Sequence, residues 1–570
     1  MLFALACCFA LSGLAALVYQ TAWTREFALV FGTSELAVAT VLAAYMGGLA
    51  LGAALIDRML PRFTRPVLGY ALLELGIGAA SVALVPALLY ASSALLVTMF
   101  GGQDAPPSSE HGGLSLYFLV TAFVVLAVPA TLMGATLPLL ARHAVREDAQ
   151  IGHRIGLLYA ANTAGAVAGA LLTAFWLLPL LGLRATVWAA AAVNVVVFLI
   201  AATLSQRVPA SALPATAPRV PLFADASHWI LPLMLASGAV TFFNEVLWSR
   251  MLGHIVGSSI HAFGVMVASF LSGIALGGGL GAWLATTRER STHLFILCQF
   301  GIAASAVVAF LLLNRHVPAR AGLAGNSLFG FMLLLPLTLF IGATYPLAVR
   351  ILARGPEAAA GASARVYAWN TVGAILGAVS GGFIVIPALR YEGAIHAAVI
   401  ASVAIGASAA WLLARGRRGL PVVVTAVAVI AVAAFRPAVP TMLLLASPLN
   451  LPTGGNLLYY DVGRSADVVV LGQDGGLVLR TNGLPEAMMD TPGVAPRFSG
   501  EFWMSSLAVL ARPEAERLLI VGYGGGVVVE GVPPSVEDID VIELEPVVIE
   551  ANRATRALRR RDPLLDPRVN

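Results

Sequence analysis

The chain has 570 residues, of which 59% are hydrophobic and only 11% charged, with a mean hydropathy of +0.87 and a formal net charge of +4. A soluble globular chain carries about 25% charged residues, so a wholly water-soluble fold is excluded and most of this chain must face lipid. All 34 basic residues are arginine; from Ser447 onward there are 17 acidic and 11 basic residues, a net −6, which leaves +10 on the preceding part. Those arginines fall in short loops between apolar runs, so the basic excess is no nucleic-acid footprint. Cys7, Cys8 and Cys298 sit in apolar runs without metal-ligand or disulfide spacing. No metal is expected.

In chain order, Met1–Val18 lacks the basic start of a signal peptide and reads as a first spanning helix. Apolar runs long enough to span follow near 36–56, 67–97, 115–141, 155–180 and 184–204. A Pro/Ala-rich stretch, Ser205–Ser227, marks a linker. Six more runs lie near 229–248, 261–286, 293–313, 327–350, 366–388 and 393–414, and a shorter one near 420–435. The predicted units are a first six-helix repeat (1–204), a linker (205–228), a second repeat (229–415), a hydrophobic connector (416–446), a small β unit with a helix (447–510) and a partial α/β domain (511–570).

The halves are copies. Ser12-Gly13 matches Ser237-Gly238, Trp23-Thr24-Arg25 matches Trp248-Ser249-Arg250, and Gly32, Gly48 and Gly52 match Gly257, Gly273 and Gly277, all at an offset of 225. Further on, Gly134–Pro138 matches Gly342–Pro346, and Tyr159, Asn162, Thr163, Gly165 and Gly169 match Tyr367, Asn370, Thr371, Gly373 and Gly377 at an offset of 208. An even number of helices per copy gives a parallel repeat, of the kind seen in major facilitator transporters. Sixteen arginines in loops after even-numbered spans against six after odd-numbered ones put the N-terminus and even loops in the cytoplasm of a plasma (inner) membrane. A thirteenth span then carries the C-terminal domain outside, whereas a segment as short as Leu420–Phe435 can dip in without crossing.

Polar residues inside the runs also pair across the repeat: Gln20 with Glu245, Glu74 with Gln299, and Asn162 with Asn370. An ionisable group in a span costs about 2.5–3.5 kcal/mol on insertion scales, so it faces protein or water. These six residues mark either a central polar site between the halves or interhelical hydrogen bonds that fix packing, with Arg25 and Arg250 reaching toward an interface.

After Pro452 the pattern changes. Ala466–Leu471 and Leu477–Thr481 alternate as strands, and Asn482-Gly483 forms a tight turn. Arg517–Val521 then leads into Gly522-Tyr523-Gly524-Gly525-Gly526, and Ile539–Ile542 ends at Glu543. A glycine turn after a strand lets backbone N–H groups approach a nucleotide, and an acid about 20 residues later can accept from ribose hydroxyls. The cofactor-binding candidates are therefore Gly522, Gly524, Gly525, Gly526 and Glu543. Pro546 starts a helix predicted to run to Arg561, with Arg556, Arg559, Arg560 and Arg561 as a solvated face at its end.

Leu458-Tyr459-Tyr460-Asp461, Gly463-Arg464-Ser465-Ala466, Arg480–Ala487, Leu519–Gly526, Asp540–Pro546 and Asp566–Val569 resemble the spermidine synthase family, and the whole chain resembles membrane proteins that fuse a major-facilitator-like bundle to such a domain. The resemblance implies a Rossmann-like domain and aminopropyl transfer from decarboxylated S-adenosylmethionine to a small amine such as putrescine. It also implies that the glycines cradle the nucleoside and Glu543 holds the ribose. S-adenosylmethionine, used by a methyltransferase, fits the same turn and acid, and a transporter with a nucleoside- or polyamine-sensing domain is the other alternative. The chain departs from the family in lacking an Asp among the glycines and in having Glu501–Ser506 where the family has Tyr-His-Glu. The family's catalytic Asp falls beyond Asn570, so the chain is expected to be a truncated, catalytically incompetent form.

Overall fold

A computed structural model describes the chain except for residues 32–34, 101–111, 208–224, 258, 318–321, 414–418, 450–453 and 474. Most of the expected linker and Gly32 lie outside the described residues. The first half contains α1 (Leu2–Phe31), α2 (Glu35–Met59), α3 (Pro66–Ala79) and α4 (Val85–Phe100), with a π-helical turn, Ala80–Leu84, joining the last two into one rod. It continues with α5 (Gly112–Ala144), α6 (Ile151–Leu172) and α7 (Leu178–Gln206). The second half contains α8 (Ile230–Val256), α9 (Ile260–Leu284), α10 (Arg288–Leu313), α11 (Gly322–Leu352), α12 (Pro356–Ser380) and α13 (Ile386–Leu413).

Among the described residues, ten stretches are long and apolar enough to cross a membrane, and two of them, Asp148–Gln206 and Pro356–Leu413, have 59 and 58 residues. At about 1.5 Å per residue each is nearly three times the roughly 30 Å hydrocarbon core. Both are hairpins: the backbone leaves helical geometry at Gly182 (φ 74°) and at Arg390 (φ 55°). Twelve spans result, six per half. The two breaks are 208 residues apart, as are the π-helical turns before them, Thr173–Leu177 and Gly381–Val385. The repeat read from side chains is thus repeated in the backbone.

Glycine sets how closely the helices approach. A Cβ at Gly13 would overlap the carbonyl of Asn162, and one at Gly238 the carbonyl of Asn370; Gly165 and Gly373 meet the carbonyls of Ala10 and Leu235 in the same way. Without hydrophobic drive between helices in lipid, such backbone contact supplies the association. Apolar side chains such as Leu72 (56% exposed) and Trp283 (68% exposed) cover the outside.

A short helix, α14 (Gly419–Ala434), follows. The carbonyl of Val432 lies 3.3 Å from Nε2 of His396, and Phe435 packs edge-on to His396 and Phe310. His396 stands six residues past the break at Arg390, so α14 runs antiparallel to α13 and returns to the end of the bundle where that break lies. After α15 (Thr441–Leu445), β1 (Asn456–Val462), β2 (Asp467–Gln473), β3 (Gly476–Thr481) and β4 (Leu484–Asp490) form an antiparallel meander. The expected two strands are therefore four. Asn482 (φ 49°) and Gly483 (φ 77°) make the anticipated tight turn, both left-handed as a type I′ hairpin requires.

One face of the meander (Tyr460, Val462, Val469, Leu471) is continuous with the core of the second half. The other (Val468, Val470, Leu477, Leu479) packs on the last unit: α16 (Gly500–Ala511), β5 (Arg517–Val521), α17 (Val527–Glu530), β6 (Asp538–Ile542) and α18 (Pro546–Thr555). β5 and β6 pair in parallel, and Ile539 bridges in parallel to Val569 on the far side. α18 ends at Thr555, six residues short of the expected Arg561.

Candidate functional site

Two regions gather the predicted residues. In the bundle, the structure separates the six polar positions instead of bringing them to one site. Glu74 (α3) is fully buried inside the first half, where its Oε2 accepts from Asn194 Nδ2 of α7 at 2.7 Å. Gln299 (α10) is fully buried inside the second half and donates from Nε2 to Ser237 Oγ at 3.0 Å. Asn162 donates to the carbonyl of Phe9 at 3.1 Å, and Asn370 lies at the equivalent crossing with Gly238. Four of the six are thus packing residues within one half. Half-buried Gln20 and Glu245 differ. Glu245 is one turn from Phe242, which lines a narrow apolar cleft with Leu42, Met46 and Ile375 between the halves.

The seam between halves is polar at one end. Asp148, at the start of α6, meets Arg350 of α11 at 2.6 Å, and Asp57 of α2 lies 3.8 Å from Arg365 of α12. Just inside, Tyr159 stacks on Tyr345 at 4.5 Å between centroids, and Tyr345 meets Tyr367 edge-on at 6.4 Å. These ion pairs lie on the arginine-rich, even-loop face. Sequence reading missed them because opposite charges so far apart in the chain, 202 residues for Asp148 and Arg350, leave no local signal.

The second region is the glycine turn. Gly522, Gly524 and Gly526 all have positive φ (90°, 55° and 73°), which fans the intervening N–H groups outward. Glu543 converges on that turn as expected: its Oε2 accepts from the N–H of Tyr523 at 2.8 Å and of Gly524 at 3.4 Å. The carbonyls on the other side are held from behind. Asn552 Nδ2 donates to the Gly524 carbonyl at 2.8 Å, and Arg559 donates to the Gly525 carbonyl at 2.7 Å and to Asn552 Oδ1 at 2.6 Å. Arg559 also pairs with Glu530 at 2.9 Å. It is buried, whereas Arg556, Arg560 and Arg561 are exposed as expected of a solvated face: the helix stops at Thr555, and the following turn swings the Arg559 side chain under the loop. Burial pushes Glu530 above the usual carboxylate range and the Tyr523 phenol up to about 12. Gly525 packs against Ala487 and Met489, whereas a Cβ at Gly522 or Gly524 would meet nothing within 4 Å. The loop therefore has open space on the side that Glu543 faces.

A chain of bonds links this loop to the membrane. Glu545 donates its N–H to Glu543 Oε1 at 3.0 Å, and its own carboxylate accepts from the N–H of Ser465 at 2.8 Å and of Ala466 at 3.3 Å. The carbonyls of that same turn, Gly463 and Arg464, accept from Arg250 of α8. Nearby, His254 lies 2.8 Å from Asp467, Tyr391 donates to Asp467 at 3.1 Å, and Arg390 pairs with Asp461 at 2.9 Å. Every bundle residue in this junction belongs to the second half. Among the described residues there is no cluster of three or more metal-ligating side chains.

No family model and no curated protein matches the chain. Among solved structures it is similar to the E. coli fucose:proton symporter (15% identity, TM-score 0.44) and to a bacterial homologue of the iron transporter ferroportin in an outward-facing state (16% identity, TM-score 0.48). Each comparison covers 71% of this chain and 98% of the other. The description of a multi-pass helical bundle made of two six-helix halves rests on the internal repeat and the twelve spans.

Proposed function

We propose that this protein is a membrane carrier of the major-facilitator type, in which a small solute passes between the two six-helix halves and the C-terminal unit senses a ligand. One observation carries the reading. The halves meet at their arginine-rich end through two ion pairs, Arg365–Asp57 (38% and 31% exposed) and Arg350–Asp148 (6% and 54% exposed), and through stacked tyrosines. Water reaches at least one member of each pair, and an exposed pair contributes about 0–1 kcal/mol, so such a seam can part and re-form, as alternating access requires. Glu245, one turn from Phe242 at an otherwise apolar cleft, suits a small amine such as putrescine. The orientation taken with this reading is an inner-membrane protein with its N-terminus in the cytoplasm. Proteoliposome uptake of putrescine tests it: loss of uptake in a folded Glu245→Ala variant supports the reading, and uptake indifferent to Glu245 overturns it.

The glycine turn supports a second reading, binding of an S-adenosyl-type nucleoside in a Rossmann-like unit. The loop's open side and the carboxylate already aligned on its N–H groups fit such a group: Gly522, Gly524, Gly525 and Gly526 would take the nucleoside end, and Glu543 its ribose hydroxyls. When bound, the nucleoside would supply an aminopropyl or methyl group at its sulfonium. Calorimetric titration of the full chain with decarboxylated S-adenosylmethionine and with S-adenosylmethionine separates the two versions. No heat with either, or equal heat with Glu543→Ala, would remove both.

A further inference from the structure

Glu74 has no role in either reading, yet its surroundings are unusual for a carboxyl group. It lies in a spanning helix with Leu72 and Leu75 exposed on the lipid side, and its own side chain is fully buried. Oε2 accepts from Asn194, whose own Oδ1 accepts from Tyr19 at 2.9 Å. Oε1 has no hydrogen-bond partner, and neither has the hydroxyl of Tyr70 one turn away. The groups around it that can titrate are Cys8 and Tyr19 of α1 and Tyr70 of α3, with the hydroxyl of Ser12 adjacent; α5 and α7 contribute none among the described residues. All of these are neutral at pH 7, and no arginine or histidine among the described residues pairs with Glu74. A bare carboxylate here would be a buried charge with no cation beside it in a low-dielectric interior, an unfavourable state.

The repeat supplies an internal control. At the equivalent position the second half carries Gln299, also fully buried, bonded to Ser237, which is the mate of Ser12. A neutral amide therefore stands at this place, its Oε1 without a partner like that of Glu74. A protonated carboxyl has the same shape and the same lack of charge, and it can donate toward the Ser12 hydroxyl as Gln299 donates to Ser237.

We propose that Glu74 is a proton-binding site inside the first half, holding its proton on Oε1 at neutral pH and releasing it only when water reaches the pocket between α1, α3 and α7. Asn194 presents its amide N–H to Oε2, a donor where a sodium ion would need an oxygen ligand; a proton needs one acceptor. The proposal stands without the carrier reading.

Infrared difference spectroscopy on the full-length protein in lipid nanodiscs tests it. The wild type minus Glu74→Gln spectrum at pH 7 should contain the C=O stretch of a protonated carboxyl, shifted in D₂O, lost as pH is raised, and unchanged by sodium at constant pH. A Glu74→Gln difference containing only carboxylate bands overturns the proposal, as does removal of the acid band by sodium. The variant should fold, since glutamine stands at the equivalent place. If it does not, Asn194→Leu answers the same question: loss of the donor to Oε2 should raise the frequency of the acid band, and an unmoved band refutes the assignment.

Discussion

Replacing Asp467 by Ala should detach the β meander from the bundle. Asp467 is 2% exposed; its Oδ2 lies 2.8 Å from His254 Nε2, its Oδ1 accepts from the Tyr391 phenol, and its N–H donates to Asn482. The truncation leaves a fully buried imidazole and a fully buried phenol without their partner. Leaving a buried polar group without its partner costs about 1–3 kcal/mol, and about 1.4 kcal/mol is tenfold in an equilibrium constant, so with two groups left unpaired local opening of this junction should rise at least about tenfold. Asp461→Ala is the matched control. It also breaks an aspartate's contact with the second half, but the Arg390–Asp461 pair is 44% and 22% exposed on its two sides. Its loss should cost about 0–1 kcal/mol. Hydrogen–deuterium exchange of the β1 and β2 amides in nanodiscs reads both. Exchange in Asp467→Ala no faster than in Asp461→Ala would refute the reasoning. Adding His254→Ala to Asp467→Ala should recover part of the loss, because no unpaired partner is then left behind.

Arg559→Met should loosen the glycine turn and leave Glu530 buried without its cation, costing about 3–5 kcal/mol in the C-terminal unit; Glu530→Gln added to it should restore part of that, read by exchange at Tyr523–Gly526. The Tyr523 phenol is raised from its ordinary value near 10 to about 12. A group raised on folding contributes fully below its unfolded value and loses that contribution as pH climbs through the folded one. About 2–3 kcal/mol of stability should thus disappear between pH 10 and 12, and Tyr523→Phe should flatten that part of the profile. Gly165→Val and Gly373→Val should each destabilise the bundle by a similar amount, about 1–3 kcal/mol, read as a lowered melting temperature, since the two carbonyls they strike are repeat mates; a large effect in only one half would contradict the equivalence of the halves.

The twelve spans, the repeat and the meeting of Glu543 with the glycine turn were legible because each is written locally: an apolar run, an ungapped copy, a strand ending in glycine. The role of Glu74 was not, because a polar residue in a span looks the same whether it faces a central path or a neighbouring helix. Only the Asn194 partner, 120 residues away, decides it. Arg559 was misjudged for a related reason. Periodicity continues through Arg561, but the chain leaves the helix at Thr555 because an inward arginine gains two carbonyl or amide acceptors and a carboxylate that a solvated one would lack. β1 and β4 were hidden by weak alternation, as only one face of each is shielded along part of its length.

The same geometry bears on which side of the membrane the C-terminal unit occupies. Its anchors, Arg250 and His254 at the end of α8 and Arg390 at the break before the last span, all lie at the end of the bundle reached by odd-numbered loops. α14 ends there too, so at about 24 Å it crosses most of the membrane and does not dip and return. The ion pairs of Asp148, Asp57 and Asp225 with arginine all lie at the opposite end. Arginine excess marks the cytoplasmic face, which would set the C-terminal unit, with its net −6, outside. S-adenosyl compounds are cytoplasmic, so this placement weighs against group transfer and toward a domain that meets its ligand before the bundle does. Because the described junction bonds of that domain all go to the second half, a ligand at Glu543 would act on Arg250 through Glu545 and the turn at 463–466. A reporter fused after Asn570 that is active only in the cytoplasm would reverse the orientation and return nucleoside chemistry to first place.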